Sequence, residues 1–350
     1  MTTMPPRITA GVDTHLDVHV TAALDERGGL LGVESFPTTA AGYRRIVGWL
    51  RGFGQLELVG VEGTGSYGAG LVRHLHAEGV RVVEVDRPNR QRRRRRGKSD
   101  PQDAIAAARA AQSGDAQGQA KTRDGNVEAM RVLRAARLSA RKARTQALNQ
   151  MRAVIATAPE VIRSDLRDLN VYRLLERTTA YRPGTRRDVV SLTKLTLRML
   201  ARRAQALEAE IAELDAIIGP LVHETAPALV ARLGIGAECA SALLIAAGDN
   251  PDRLRNEPTF AHLCGAAPLD ASSGKQERHR LNRGGDRQAN AALWRIVITR
   301  MVYDPRTRIY MDRRLKEGLT KKEAIRCLKR YIAREVYNHL PHQPLALDSP

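Results

Sequence analysis

Asp13 closes the apolar run "ITAGVD", Glu62 closes "LELVGVE", and Asp100 and Asp103 stand three apart in "GKSDPQDA". An ionised carboxylate without a partner is costly in a core, so acids at the ends of apolar strands call for a cation or a wet cleft. Acids three apart at a helix start share one face and can point at one spot. Two strands and one helix therefore offer four carboxylates. All-oxygen donor sets suit Mg²⁺ or Mn²⁺, held through a few carboxylates and the phosphate of a substrate. Two such ions can clamp the attacking and leaving oxygens of an in-line phosphoryl displacement. Taken singly, Asp100 before Pro101 reads as an N-cap and Asp103 as a first-turn acid favoured by the helix dipole. Asp13 and Glu62 have no such local use, and the four together favour a metal site.

Other residues carry weaker signals. His15 and His19 flank Asp17, and four positions along one strand would separate them by roughly 13 Å, so they read as surface residues. "GTGSYG" (63–68) lacks the lysine and spacing of a P-loop and reads as a tight turn. Gly234 and Gly236, in "RLGIGAECASALL", form either a plain helix–turn–helix corner or a turn offering backbone N–H groups to a phosphate. Ser272 and Ser273 precede Gly274 in a polar stretch with Lys275, Arg278, His279, Arg280, Arg283 and Arg287. Serine is a feeble nucleophile unless activated, and no neighbour is an obvious base. By composition this is a phosphate-gripping loop.

Cationic residues dominate the chain. Its 350 residues carry a formal charge of +19, which implies attraction to a polyanion, nucleic acid ahead of an acidic membrane. Only 4% of residues are aromatic, which argues against binding by serial base stacking and leaves the contact to arginine. The densest segment, "RPNRQRRRRRGKSDPQDA", holds Arg92, Arg93, Arg94, Arg95, Arg96 and Lys98 directly before the two aspartates. A basic tail is the bland reading. A loop at the mouth of the acidic site, with the arginines on a phosphate backbone and the acids on the metal, accounts for the position. No run of about 18 apolar residues could span a bilayer, and the N-terminus lacks the apolar core of a signal peptide, so a cytoplasmic protein is expected. Cys239, Cys264 and Cys327 are far apart, without CxxC pairing, and suit apolar filling better than a disulfide framework or a zinc site.

The elements that would position these residues follow from periodicity. "RITAGVDTHLDVHVTAAL" and "GGLLGVESF" predict two or three strands; "AAGYRRIVGWLRGFG", "LELVGVEG", "GAGLVRHLHAEG" and "VRVVEVD" predict helix, strand, helix, strand. With the alanine-rich helix from Pro101 they make an α/β domain over 1–118. A basic helical region follows over 119–222. One helix carries Leu133, Ala136, Ala140, Ala143, Ala147, Met151 and Val154 in a stripe, with arginines including Arg134, Arg137 and Arg141 on much of the remainder. A second, from about 187 to 218, carries the heptad seam Leu197, Leu200, Ala204, Leu207, Ile211, Leu214, Ile218 and is expected to stop at Gly219–Pro220. The two pair as an antiparallel hairpin or between chains. Residues 223–350 read as mainly helical, interrupted by the serine-containing loop.

The ordered motifs "GVDTHLDVHV", "VEGTGSYG", "GKSDPQDA", "GIGAECASALLIAAGD" and "FAHLCGAAPLDASSG" resemble, over nearly the whole chain, the IS110-type insertion-sequence transposases, also called the DEDD recombinases. The resemblance implies a RuvC or RNase H-like first domain whose catalytic tetrad is Asp13, Glu62, Asp100 and Asp103. It implies a catalytic serine before a glycine, downstream of Gly265-Ala266-Ala267-Pro268: Ser273 is the matching position and Ser272 the competitor. Where the family has a Gly-Leu-x-Pro-like stretch, this chain has alanines after Gly265. It further implies serine attack on a DNA phosphodiester, a covalent phosphoserine intermediate, donor and target double-stranded DNA, a structured noncoding guide RNA, and a homo-oligomer in which the two domains meet. The basic middle helix and the arginine run fit both nucleic acids. Three other readings compete: a RuvC-like endonuclease without a covalent serine step, a non-catalytic nucleic-acid-binding protein, and, distantly, a membrane-surface protein.

Overall fold

The alternating apolar segments become one six-stranded sheet in the computed structural model, which describes residues 5–85, 99–116, 118–250, 253–254, 256–270, 279–280 and 282–341. Its strands are β1 (Arg7–Thr14), β2 (Val18–Leu24), β3 (Leu30–Pro37), β4 (Gln55–Glu62), β5 (Arg81–Val85) and β6 (Gly118–Gln119), in the spatial order β3-β2-β1-β4-β5-β6. β1 pairs antiparallel with β2 and parallel with β4, β4 pairs parallel with β5, and β6 closes the edge antiparallel to β5. That edge strand is not foreseen from the sequence, because two residues carry no alternation to read.

Helices cover both faces. On one lie α1 (Ala40–Arg51), capped by Thr39 accepting from the Gly42 N–H, and α2 (Ala69–Ala77). Ile46, Leu50, Leu71 and Leu75 pack there against Ile8, Val12, Val59 and Val61. On the other lies α3 (Asp100–Gln112), whose Ala104 and Ile105 meet Val20 and Ala22. α3 approaches the sheet to backbone contact. A Cβ on Gly11 would sit 2.0 Å from the Ala108 nitrogen, and one on Gly60 would sit 2.7 Å from the Ala107 oxygen. Glycine in the central strands and alanine in the helix are what allow this approach.

α4 (Asn126–Ala156) and α7 (Val189–Thr225) run antiparallel within the chain, since Arg137 pairs with Asp215 while Arg144 pairs with Glu208. The short α5 (Glu160–Leu166) and α6 (Val171–Thr179) pack at the far end around Met151, Ile162, Leu174 and Leu197. The seam differs from the expected stripe: Ala136 is exposed, whereas Arg134 is buried. α7 also continues past Gly219–Pro220 to Thr225, because Ile218 and Val222 are buried in the neighbouring core and packing overrides the missing N–H.

The remainder comprises α8 (Pro227–Val230), α9 (Ala237–Ala247), α10 (Glu257–Leu263), the two-stranded ribbon β7 (Leu269–Asp270) with β8 (His279–Arg280), α11 (Arg287–Tyr303), α12 (Pro305–Lys316) and α13 (Lys321–Tyr337). Val127, Met130, Ile218 and Val222 belong to the same apolar cluster as Leu243, Phe260, Leu293 and Ile332, so the long helices and the last helices share a core. Among the described residues, no helix is long and apolar enough to cross a membrane.

Candidate functional site

The strand register explains why the acids meet. Val12 pairs with Val61 across the parallel β1–β4 ladder, so Asp13 and Glu62 are the next residues on adjacent strands, at the same C-terminal edge. The Thr14 hydroxyl donates to the Glu62 carbonyl oxygen at 2.8 Å and ties the two strand ends together. The close approach at Gly11 and Gly60 seats α3 with its first turn over this edge. Asp103 is thereby buried at 7% exposure beside Asp13 at 6%, while Asp100 stays half-exposed at the rim.

His15, read from the sequence as a surface residue on a continuous strand, completes the cluster. β1 stops at Thr14 and β2 starts at Val18, so His15 lies in a turn and not on a strand. Its Nε2 is 3.1 Å from Asp13 Oδ2 and 3.5 Å from Asp100 Oδ1. One ligand atom from each of Asp13, His15 and Asp100 falls within 4.8 Å of the others. The Glu62 and Asp103 carboxylates lie outside that set. His19 is no surface residue either: it is fully buried and stacked on Tyr43 with ring centroids 5.8 Å apart.

Burial pushes the Asp13 carboxyl above its ordinary value; His15 pulls it down, and the negative charges of Asp103 and Asp100 push it up again. Carboxylates crowded about a buried one, with an imidazole nitrogen among them, are the donor chemistry of a divalent-cation site. Asp13, Asp100 and Asp103 would hold such an ion from two sides, with Glu62 at the next strand end.

The expected nucleic-acid contacts divide sharply. Arg141, Arg280, Arg283 and Arg287 are exposed. Arg134 is not: its Nη1 donates to the Glu238 carbonyl oxygen at 3.0 Å and to the Ser241 hydroxyl at 3.1 Å, and pairs with the Glu238 carboxylate at 2.9 Å. Arg137 and Arg295 bind the same carboxylate at 2.8 and 3.1 Å. Burial alone would raise Glu238, yet these arginines hold it below its ordinary value. Arg134 and Arg137 thus bind α4 to α9, a use that charge counting along a helix could not reveal. Gly234 adopts φ +78° beside Thr299, and Gly236 is the N-cap of α9, a position where glycine supplies no side-chain cap. Arg92 to Arg96, Lys98, Ser272, Ser273, Lys275 and Arg278 lie outside the described residues. The flanks of the serine segment are described. Asn282 Nδ2 donates to the His262 carbonyl oxygen and Asn290 Nδ2 to that of Cys264, and the buried Lys329 donates to Asn290 Oδ1 at 2.9 Å.

Comparison with known proteins points to one family. Residues 10–158 match a family profile for DEDD transposases of IS110 type, described as "Transposase", and residues 228–312 match a second, described as "Transposase IS116/IS110/IS902 family". The chain is 33% identical over 168 residues to the insertion element IS110 43.6 kDa protein of Streptomyces coelicolor, a match covering 46% of this chain and 39% of that protein. It is 27% identical over 142 residues to the insertion element IS900 42 kDa protein of Mycobacterium paratuberculosis, covering 40% of this chain and 36% of that protein. The matches therefore span well under half the length of these relatives.

Proposed function

Since the chain belongs to the IS110 family of insertion-element transposases, we propose that it is a metal-dependent DNA transposase and recombinase that cleaves and rejoins strands of donor and target DNA. The observation that carries the reading is the convergence of Asp13 and Asp100 at the C-terminal edge of the central strands, with Asp103 close enough for its charge to raise the Asp13 carboxyl and Glu62 at the adjacent strand end. The strand order β3-β2-β1-β4-β5, with β2 antiparallel to its neighbours, supports a RuvC or RNase H-like domain. A bound Mg²⁺ or Mn²⁺ would polarise the phosphodiester and stabilise charge developing on its oxygens.

In this reading the four carboxylates hold the cation, and Ser273 attacks the phosphorus to form a serine–phosphate ester while the leaving strand departs with its hydroxyl. Exchange of strands reverses that bond. The exposed Arg141, Arg280, Arg283 and Arg287 hold phosphates, as do Arg92 to Arg96, Lys98, Lys275 and Arg278. Gly234 and Gly236 offer backbone N–H groups at the start of α9. A structured noncoding RNA selects the DNA by pairing, and the α4–α7 pair acts as a coiled-coil arm that joins copies so that the two domains meet.

The test uses the purified full-length chain with its copurified nucleic acid, which is sequenced, and a DNA substrate bearing the element ends. Asp13→Asn lowers strand cleavage on the order of a hundredfold or more. Ser273→Ala removes the covalent protein–DNA adduct as well as strand exchange. Cleavage that persists in Ser273→Ala would mark a hydrolytic nuclease instead, and random nucleic-acid fragments in place of a discrete RNA would remove the guide.

A further inference from the structure

We infer that His15 is a nitrogen ligand of the divalent-metal site, which therefore takes a first-row transition ion in preference to Mg²⁺, an inference that rests on the metal reading of the four carboxylates. His15 is the first residue beyond β1, and its main chain is pinned from two directions. Its carbonyl oxygen accepts from the Thr38 hydroxyl at 3.3 Å, and the Thr38 N–H donates to the Asp17 oxygen at 2.9 Å, which ties the turn to the end of β3. The preceding residue, Thr14, is fastened to Glu62 on β4. Held there, the imidazole Nε2 lies 3.1 Å from Asp13 Oδ2 and 3.5 Å from Asp100 Oδ1, and one ligand atom from each of the three residues falls within 4.8 Å of the others.

Donors around a single ion at about 2.1 Å stand roughly 3–4.2 Å apart, so the observed spacing needs only a small contraction to become a coordination shell. The contraction is easy for His15 and Asp100, whose side chains are 40% and 46% exposed, while Asp13 is the buried fixed point. Mg²⁺ keeps oxygen ligands and water, whereas imidazole favours first-row transition ions, whose affinities rise along the series from Mn²⁺. A site of carboxylates alone would show no such preference on this ground. His15 adds it without changing the carboxylate count.

The experiment measures Mn²⁺ binding to the full-length protein by electron paramagnetic resonance, with Mg²⁺ as competitor, and records nitrogen hyperfine coupling to the bound ion. Wild type is expected to bind Mn²⁺ about tenfold more tightly than Mg²⁺ and to show imidazole nitrogen coupling. His15→Ala should lose the coupling and about tenfold in Mn²⁺ affinity, with Mg²⁺ affinity within about twofold of wild type. Circular dichroism checks that the variant is folded, and the coupling in wild type needs no variant. Mn²⁺ that binds, is lost in Asp13→Asn, and shows no nitrogen coupling would overturn the role of His15 while leaving the carboxylate site standing. Absence of Mn²⁺ binding in wild type would overturn the metal reading itself, and His15 with it.

Discussion

Single charged groups in this protein take their meaning from what surrounds them. Glu335 on α13 accepts from Arg300 Nη1 at 2.6 Å and from Arg232 Nε at 2.8 Å, joining three segments of the helical core. Burial alone would raise its carboxyl, but the two guanidinium groups hold it down to about 2 against an ordinary 4.5. A folded-state value below the unfolded one contributes stability that is complete above 4.5 and is lost as the pH falls towards 2. Urea unfolding followed from pH 5 downward, on the order of half-unit steps, should therefore show a steeper loss for wild type than for Glu335→Gln. At neutral pH the variant should be less stable by about 1–2 kcal/mol, the range for a part-exposed charge-assisted pair. Parallel pH curves for the two proteins would show that the arginines do not discriminate the charged carboxylate from its neutral form.

At the scale of elements, the acid cluster depends on how closely α3 lies on the sheet. Gly11→Ala would drive a methyl to 2.0 Å from the Ala108 nitrogen, so the helix must lift and carry Asp100 and Asp103 with it. The expected cost is about 1–3 kcal/mol in thermal unfolding, together with loss of Mn²⁺ binding out of proportion to that change. A variant that unfolds earlier yet binds Mn²⁺ normally would show that α3 does not place the carboxylates. Strands β1 to β5 and α3 were legible in the sequence because apolar runs of five to eight residues and an alanine-rich run after Pro101 leave few alternatives. Asp13, Glu62, Asp100 and Asp103 were legible as strand-end and helix-start acids. His15 was not, since reading "VDTHLDVHV" as continuous strand hides the turn that swings its imidazole toward Asp13. The α7 helix outran its expected stop for a related reason: Gly219–Pro220 is a local signal, and the burial of Ile218 and Val222 is a tertiary one.

Across the whole molecule, the charge of +19 divides into arginines that face solvent and arginines that build the interior. Removing an exposed member, by Arg141→Ala, Arg283→Ala or Arg287→Ala, should lower the log–log salt dependence of DNA binding by about 0.9 for each phosphate that the arginine neutralises. Arg134→Ala should leave that slope unchanged and instead reduce stability by about 2–3 kcal/mol, because Glu238 and Ser241 lose a buried donor. A slope that falls for Arg134→Ala and not for Arg141→Ala would reverse this division. The halves of the molecule are also stitched together beside β6: Arg253 donates to the Gln119 oxygen and Asn250 to the Ala120 oxygen, while Asp249 accepts from the first N–H groups of α4. β6 in turn pairs with Val83 and Glu84 of β5. A fragment cut before Gly118 would thus carry a valine-rich strand with its outer hydrogen-bonding groups uncovered, and such edges recruit other strands. The short strand that anchors the helical half is, for the sheet, its guard against aggregation.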